Sequence, residues 1–137
     1  MTVTPDLLPW VVIAGALGAV GRHVVIRSVA AVGERNRHPD SIGGLPTIPI
    51  GTMVVNLSGS LVAGVLLGFA LEEGRTSLIL VLTIGLLGAF TTFSSWMTEV
   101  VGLWEEGRRG LAVTHLIVSL VAGVGSAALG LGIWRIL

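Results

Sequence analysis

The chain has 137 residues, 53% of them hydrophobic and 12% charged, with a mean hydropathy of +0.92. Soluble domains carry about twice that charged fraction, so this is the composition of a membrane protein. It contains no cysteine, and its 8 basic residues, all arginine, balance 8 acids. Disulfides, zinc–thiolate sites and thiol chemistry are therefore excluded, and without a basic excess or basic run nucleic-acid binding has no footing.

Four apolar segments are long enough to cross a bilayer at roughly 20 residues each. They run over about Trp10–Val32, Ile48–Leu71, Ser77–Val101 and Leu111–Ile133, and residues 1–137 read as one all-α, multi-pass transmembrane domain. Met1 to Pro9 lacks the basic segment of a signal peptide and no small-residue cleavage pattern follows, so the first span is expected to be retained. The connection Gly33–Thr47, with Glu34, Arg35, Arg37, His38 and Asp40, reads as a solvated loop. The connections Glu72–Thr76 and Gly102–Gly110 are short and make consecutive spans antiparallel neighbours. Trp10, Trp104 and Trp134 fall near span ends, as interfacial belt residues should.

The side holding the first and third connections has Arg35, Arg37, Arg108 and Arg109, against Arg75 and Arg135 on the other. Positive-inside reasoning places both termini outside, by a bias small enough to allow insertion in either orientation.

Small residues recur every fourth position along Ala14, Gly18 and Arg22, along Ser60, Gly64 and Gly68, and along Ser119, Gly123 and Ala127. Such stripes let helices pack closely in lipid, and this much small surface suggests a core completed by a second subunit. Arg22 lies deeper in the first span than a terminal anchor requires. It either snorkels toward the first connection or places a positive group at the mouth of an anion route. In the second span Thr52, Asn56, Ser60 and Gly64 make one polar helical face. The amide of Asn56 must meet a neighbouring helix, water or a substrate.

The third span contains Gly85-Leu-Leu-Gly-Ala-Phe-Thr-Thr-Phe-Ser-Ser-Trp96, with hydroxyls at Thr91, Thr92, Ser94 and Ser95 between Phe90, Phe93 and Trp96. Two readings stay open on the residues alone. The span is interrupted and its break lines a site, or it is continuous with hydroxyls bonded to their own i−4 carbonyls. The fourth span carries His115, Ser119 and Ser126. Glu99 falls near the end of the third span, and the central portions of the spans hold no carboxylate. No nucleophile motif or metal-ligand spacing points to an enzyme. What remains within the membrane is hydrogen-bond donors, one deep arginine and the positive edges of aromatic rings, the groups a dehydrated small anion needs along its path.

At this point three blocks carry a resemblance: Gly15-Ala-Leu-Gly-Ala-Val-Gly-Arg22, Gly51-Thr-Met-Val-Val-Asn-Leu-Ser-Gly59 and the third-span block ending at Trp96. Together they resemble the Fluc (CrcB) fluoride channels over essentially the whole chain. The resemblance implies a fluoride-selective channel that exports fluoride passively and reduces its toxicity, in a prokaryotic plasma or inner membrane. It implies an antiparallel, dual-topology homodimer with two pores, surrounded by lipid. It further implies a third helix broken near its centre, where the backbone carbonyls of Gly88 and Thr91 from both subunits hold one structural sodium ion. Asn56 resembles the pore asparagine and Arg22 the arginine near the entrance. Phe93, Ser94 and Ser95 match pore positions on the third helix, and Ser119 matches the polar track of the fourth. Trp96 departs from the pattern, standing where the family has a second pore phenylalanine, and Phe90 is not that missing partner. The competing classes are a small four-span multidrug transporter, which would want a buried glutamate in the first span, and a structural assembly protein, which would leave Asn56 without a task.

Overall fold

The computed structural model describes residues 5–35, 50–73 and 76–136, and all of them that are regular are helical. A single 3₁₀ turn, Pro5–Leu7, leads into α1 (Leu8–Arg35), followed by α2 (Ile50–Glu73). The third span is composite. It consists of α3 (Thr76–Leu80), a π-helical stretch Val81–Leu87, the short α4 (Gly88–Phe90), two extended residues, and α5 (Phe93–Glu105). After a turn in which Gly107 adopts φ +78°, α6 (Arg109–Trp134) completes the chain. The connection expected over Gly33–Thr47 lies outside the described residues from position 36 onward, as do Arg37 and Arg75 of the arginine count.

Four helical segments, Pro5–Gly33, Ile50–Leu71, Ser77–Glu105 and Arg109–Trp134, are long and apolar enough to cross a membrane. Their outward surfaces are large and hydrophobic: Leu17 and Val20 on α1 are each 62% exposed, and Val121 and Leu129 on α6 are 64% and 66% exposed. Small and polar side chains turn inward instead, among them Ala14, Ala112, Thr52, Thr92 and His115. This inversion of the soluble pattern follows from a solvent of hydrocarbon, in which helix association rests on close packing and hydrogen bonds.

The most extensive packing joins α2 to α6, while α1 lies along the π-helical stretch and α4. At the α2–α6 crossing the fit is backbone to backbone. A Cβ on Gly64 would overlap the carbonyl of Ala127, and one on Gly130 would overlap the carbonyl of Leu61. The small-residue stripe of α2 is thus spent on α6. At the helix ends, Phe69 and Trp134 meet edge to face with centroids 5.0 Å apart, and the Arg109 guanidinium lies 5.2 Å from the Trp104 ring.

Candidate functional site

The third span changes course at Thr91 and Thr92. Their φ/ψ values, −76/156° and −146/119°, are extended, so the α-helical ladder stops here and restarts at Phe93. The π-helical turn before the break already loosens that ladder, with the Gly88 N–H reaching back to the Thr83 carbonyl. Thr91 closes the upper half by donating both its N–H (2.9 Å) and its hydroxyl (2.8 Å) to the Leu87 carbonyl. Thr92 opens the lower half as an N-cap, its hydroxyl accepting from the Ser95 N–H at 3.1 Å, the usual way a helix start satisfies an otherwise orphaned donor. The Ser94 and Ser95 hydroxyls lie 3.2 and 3.1 Å from the same Thr92 oxygen.

Asn56 holds the break from outside. Its Oδ1 accepts from the Thr92 N–H at 2.9 Å and its Nδ2 donates to the Thr92 carbonyl at 3.1 Å. A side-chain amide here replaces the backbone partner that a neighbouring helical turn would supply. Gly59, one turn further along α2, makes the approach possible, since a Cβ there would overlap the Thr91 methyl and press on the Phe90 ring. Phe90 sits between α1 and α2 at Gly21 and Gly59, a packing position outside the cavity described next.

These bonds have a consequence for two carbonyls. In a continuous α-helix the Gly88 carbonyl would accept from the N–H of Thr92, and that of Thr91 from Ser95. The first N–H is taken by Asn56 and the second by the Thr92 hydroxyl. The main-chain oxygens of Gly88 and Thr91 are therefore released from the helical ladder.

Beside the break lies a cavity of about 420 Å³ bounded by α2, α5 and α6. Asn56 and Ser60, Thr91 and Thr92, Phe93 and Trp96, and Ser119 all line it, together with apolar and small residues, and no lining residue is charged. Phe93 and Trp96 stand edge to face, 5.5 Å apart at 80°. The Trp96 indole N–H and the Ser119 hydroxyl are buried and have no hydrogen-bond partner among the described residues. Asparagine carries two amide donors, and only one of those on Asn56 is spent on Thr92. Three donors on residues that line this uncharged cavity thus have no matching acceptor among the described residues. Phe93, 71% exposed, lies on its open side.

Of the residues singled out in the sequence, Asn56, Phe93, Trp96 and Ser119 come together. Ser94, which is exposed, and Ser95 do not line the cavity. Arg22 is half-buried on α1 and does not line it either. Sequence reasoning did not assemble a second polar group, formed by Thr52, Glu99 and His115. The Thr52 hydroxyl donates to Glu99 Oε1, and Glu99 Oε2 lies 3.3 Å from His115 Nε2. The available signal was register: each is one helical turn from a cavity residue on its own helix.

Fold and site together define a small multi-pass membrane protein with a donor-lined cavity beside a broken third span. Residues 9–131 match the family described as CrcB-like protein, Camphor Resistance (CrcB), and the chain belongs to that family. It is 40% identical over 127 residues to a fluoride-specific ion channel FluC of Novosphingobium aromaticivorans, covering 92% of this chain and 94% of the relative. It is 37% identical to fluoride-specific ion channel FluC 2 of Mycobacterium tuberculosis H37Rv, over 88% and 84% of the two chains. With the FluC of Francisella philomiragia the identity is 30%, over 94% and 98%.

Proposed function

We propose that this protein is, as the names of its relatives suggest, a fluoride-specific ion channel, and that it lets fluoride leave the cell passively. The observation that supports the reading is the set of unmatched donors on Asn56, Trp96 and Ser119, three residues that line a cavity with no charged lining. A buried donor without an acceptor is costly, and a desolvated anion supplies the acceptor. A carboxylate-dependent cation transporter is not supported, because the carboxylate nearest the cavity, Glu99, is bonded to Thr52 and His115 and lies outside the lining. The same group is not a hydroxyl–imidazole–carboxylate triad, because Glu99 stands between the Thr52 hydroxyl and the His115 imidazole and the imidazole does not contact the hydroxyl.

The active unit in this reading is an antiparallel homodimer in a cell membrane, in which a second copy closes the side of the cavity left open at Phe93. The Gly88 and Thr91 carbonyls, freed by the Asn56 and Thr92 bonds, are hard oxygen donors suited to a structural sodium ion shared by both copies. Asn56, Phe93, Trp96 and Ser119 form the fluoride path. Ser94 and Ser95 support it through Thr92, and Arg22 acts at the approach.

The test is anion efflux from liposomes holding purified protein. Fluoride efflux with chloride retained is the expected result, and equal passage of both would reject selectivity. Asn56→Leu removes both bonds to Thr92 and the free donor. Loss of such a buried donor is worth about 1–3 kcal/mol, so fluoride efflux should fall about a hundredfold. Parent-level efflux through protein that still elutes as a dimer would take Asn56 out of the path.

A further inference from the structure

The Thr52–Glu99–His115 group sits in a definite relation to the cavity. Thr52 is four residues before Asn56 on α2, Glu99 three after Trp96 on α5, and His115 four before Ser119 on α6. Residues three or four apart share a helix face. Because α5 runs opposite to α2 and α6, all three steps lead toward the same end of the bundle, that of the α5–α6 turn. The three residues therefore form the layer that follows the cavity along its axis. It is a sheltered layer: the His115 side chain is 2% exposed, that of Glu99 18%, and Thr52 is buried.

We propose that the Glu99–His115 pair is a proton-binding site whose occupancy sets the rate of anion passage. The inference rests on the anion-channel reading. With the imidazole neutral and the carboxylate ionised, the pair carries one negative charge a helical turn from the donor-lined cavity. When it takes up one proton the pair is neutral overall, the proton held along the 3.3 Å contact between Nε2 and Oε2. An anion leaving the cavity meets a repulsive layer in the first state and a neutral one in the second, and in a poorly screened interior that difference is large.

The other charged groups nearby are accounted for. From α2 only Thr52 faces Glu99, and Ile50–Leu71 contains no ionisable side chain. From α6, His115 contacts it, while Arg109 lies against Trp104. At the end of α5 the Glu106 carboxylate pairs with Arg108 at 3.1 Å, next to Glu105. Arg22, His23 and Arg27 belong to α1, and among the described residues Thr52 and His115 are the hydrogen-bond partners of Glu99. Histidine side chains in general change charge between about pH 5 and pH 8, which makes that the range to test.

The experiment is fluoride efflux from liposomes at equal internal and external pH, stepped from about pH 6 to about pH 8, with protein-free liposomes subtracting hydrogen fluoride that crosses lipid. Efflux through the parent should fall by about tenfold as pH rises. His115→Tyr keeps a ring and a donor that does not titrate in this range, and its efflux should be independent of pH. Glu99→Gln should remain fast at the alkaline end. Histidine-labelled protein in detergent provides a readout that needs no flux: the His115 ring resonances, assigned by their loss in His115→Tyr, should titrate in the parent and respond differently to pH in Glu99→Gln. Parallel efflux profiles for parent and His115→Tyr would overturn the proposal, as would ring resonances that do not titrate. If the parent passes no fluoride at any pH, the channel reading fails, and the proton site then stands or falls on the resonance titration.

Discussion

A single hydroxyl separates two roles that buried polar groups in a membrane can play. Thr91, Thr92 and Asn56 all spend their bonds on the broken backbone, so replacing any of them alters structure and pathway together. Ser119 does not. Its hydroxyl is buried and unpartnered, without even the bond to its own i−4 carbonyl that serine usually makes in a membrane helix. Ser119→Ala should therefore leave the melting temperature unchanged within a degree or two, or raise it slightly. It should lower fluoride efflux by about tenfold, the effect of losing roughly 1.4 kcal/mol of stabilisation along the path. Unchanged efflux would assign Ser119 to packing. Trp96→Phe poses the complementary question. It removes an indole N–H with no partner among the described residues and retains a ring edge facing Phe93, so selective fluoride efflux should persist. Abolished efflux in a folded dimer would mean that the indole N–H is required.

At the scale of elements the sequence was legible where pattern and position coincide. The apolar runs marked the four helices long enough to cross, and the hydroxyls of the block Gly85–Trp96 marked a special place while leaving open a break or a continuous helix. Which of two readings held depended on Thr92. Its hydroxyl caps α5 rather than bonding back four residues, while Thr91 does bond back, to Leu87; each open reading thus described one of two adjacent threonines. Asn56 likewise proved to be a clamp between helices and a cavity residue at once. The π-helical stretch left no sequence trace, since Val81–Leu87 has the same apolar composition as the α-helices around it. The Glu99–His115 contact was hidden for another reason: it joins residues 16 apart across two helices, and their relative rotation is decided by the Gly64–Gly130 crossing and the break rather than by local pattern.

The capped break makes a prediction at this same scale. Thr92→Ala removes the N-cap, a loss of about 1 kcal/mol, and with it a restraint on the turn that presents the Thr91 carbonyl. If that carbonyl holds sodium, the parent should melt at a higher temperature in sodium than in a bulky organic cation of equal ionic strength, by the linkage between binding and stability. Thr92→Ala should lose most of this difference, and Thr92→Ser should restore it. Equal melting temperatures in the two salts for the parent would remove sodium from the site.

The molecule as a whole leaves a cavity unfinished. Phe93 is 71% exposed although it lines the cavity with Trp96, and in the proposed channel a ring edge that meets the anion would gain nothing from facing lipid. A second copy is the economical cover, and the arginine distribution bears on its orientation. Four arginines near one face against two near the other is a weak bias, and the orientation rule depends on excess Lys and Arg in short loops, not on total charge. Insertion in both directions would supply antiparallel partners from one chain. Sealed vesicles and a membrane-impermeant thiol reagent test this directly, because the chain contains no cysteine. A single cysteine at Gly107, on the exposed α5–α6 turn, would be strained by the left-handed φ there; Glu105→Cys, on the same turn side, avoids that conformation. Part of the Glu105→Cys population should label from outside and the rest only after the vesicles are opened. Adding two arginines beside Glu105 should drive the chain to one orientation and reduce fluoride efflux, while co-expressing a chain with two arginines added after Trp134 should restore it. Labelling of Glu105→Cys from one side alone, with its efflux intact, would exclude the antiparallel dimer and with it a sodium site built from both copies.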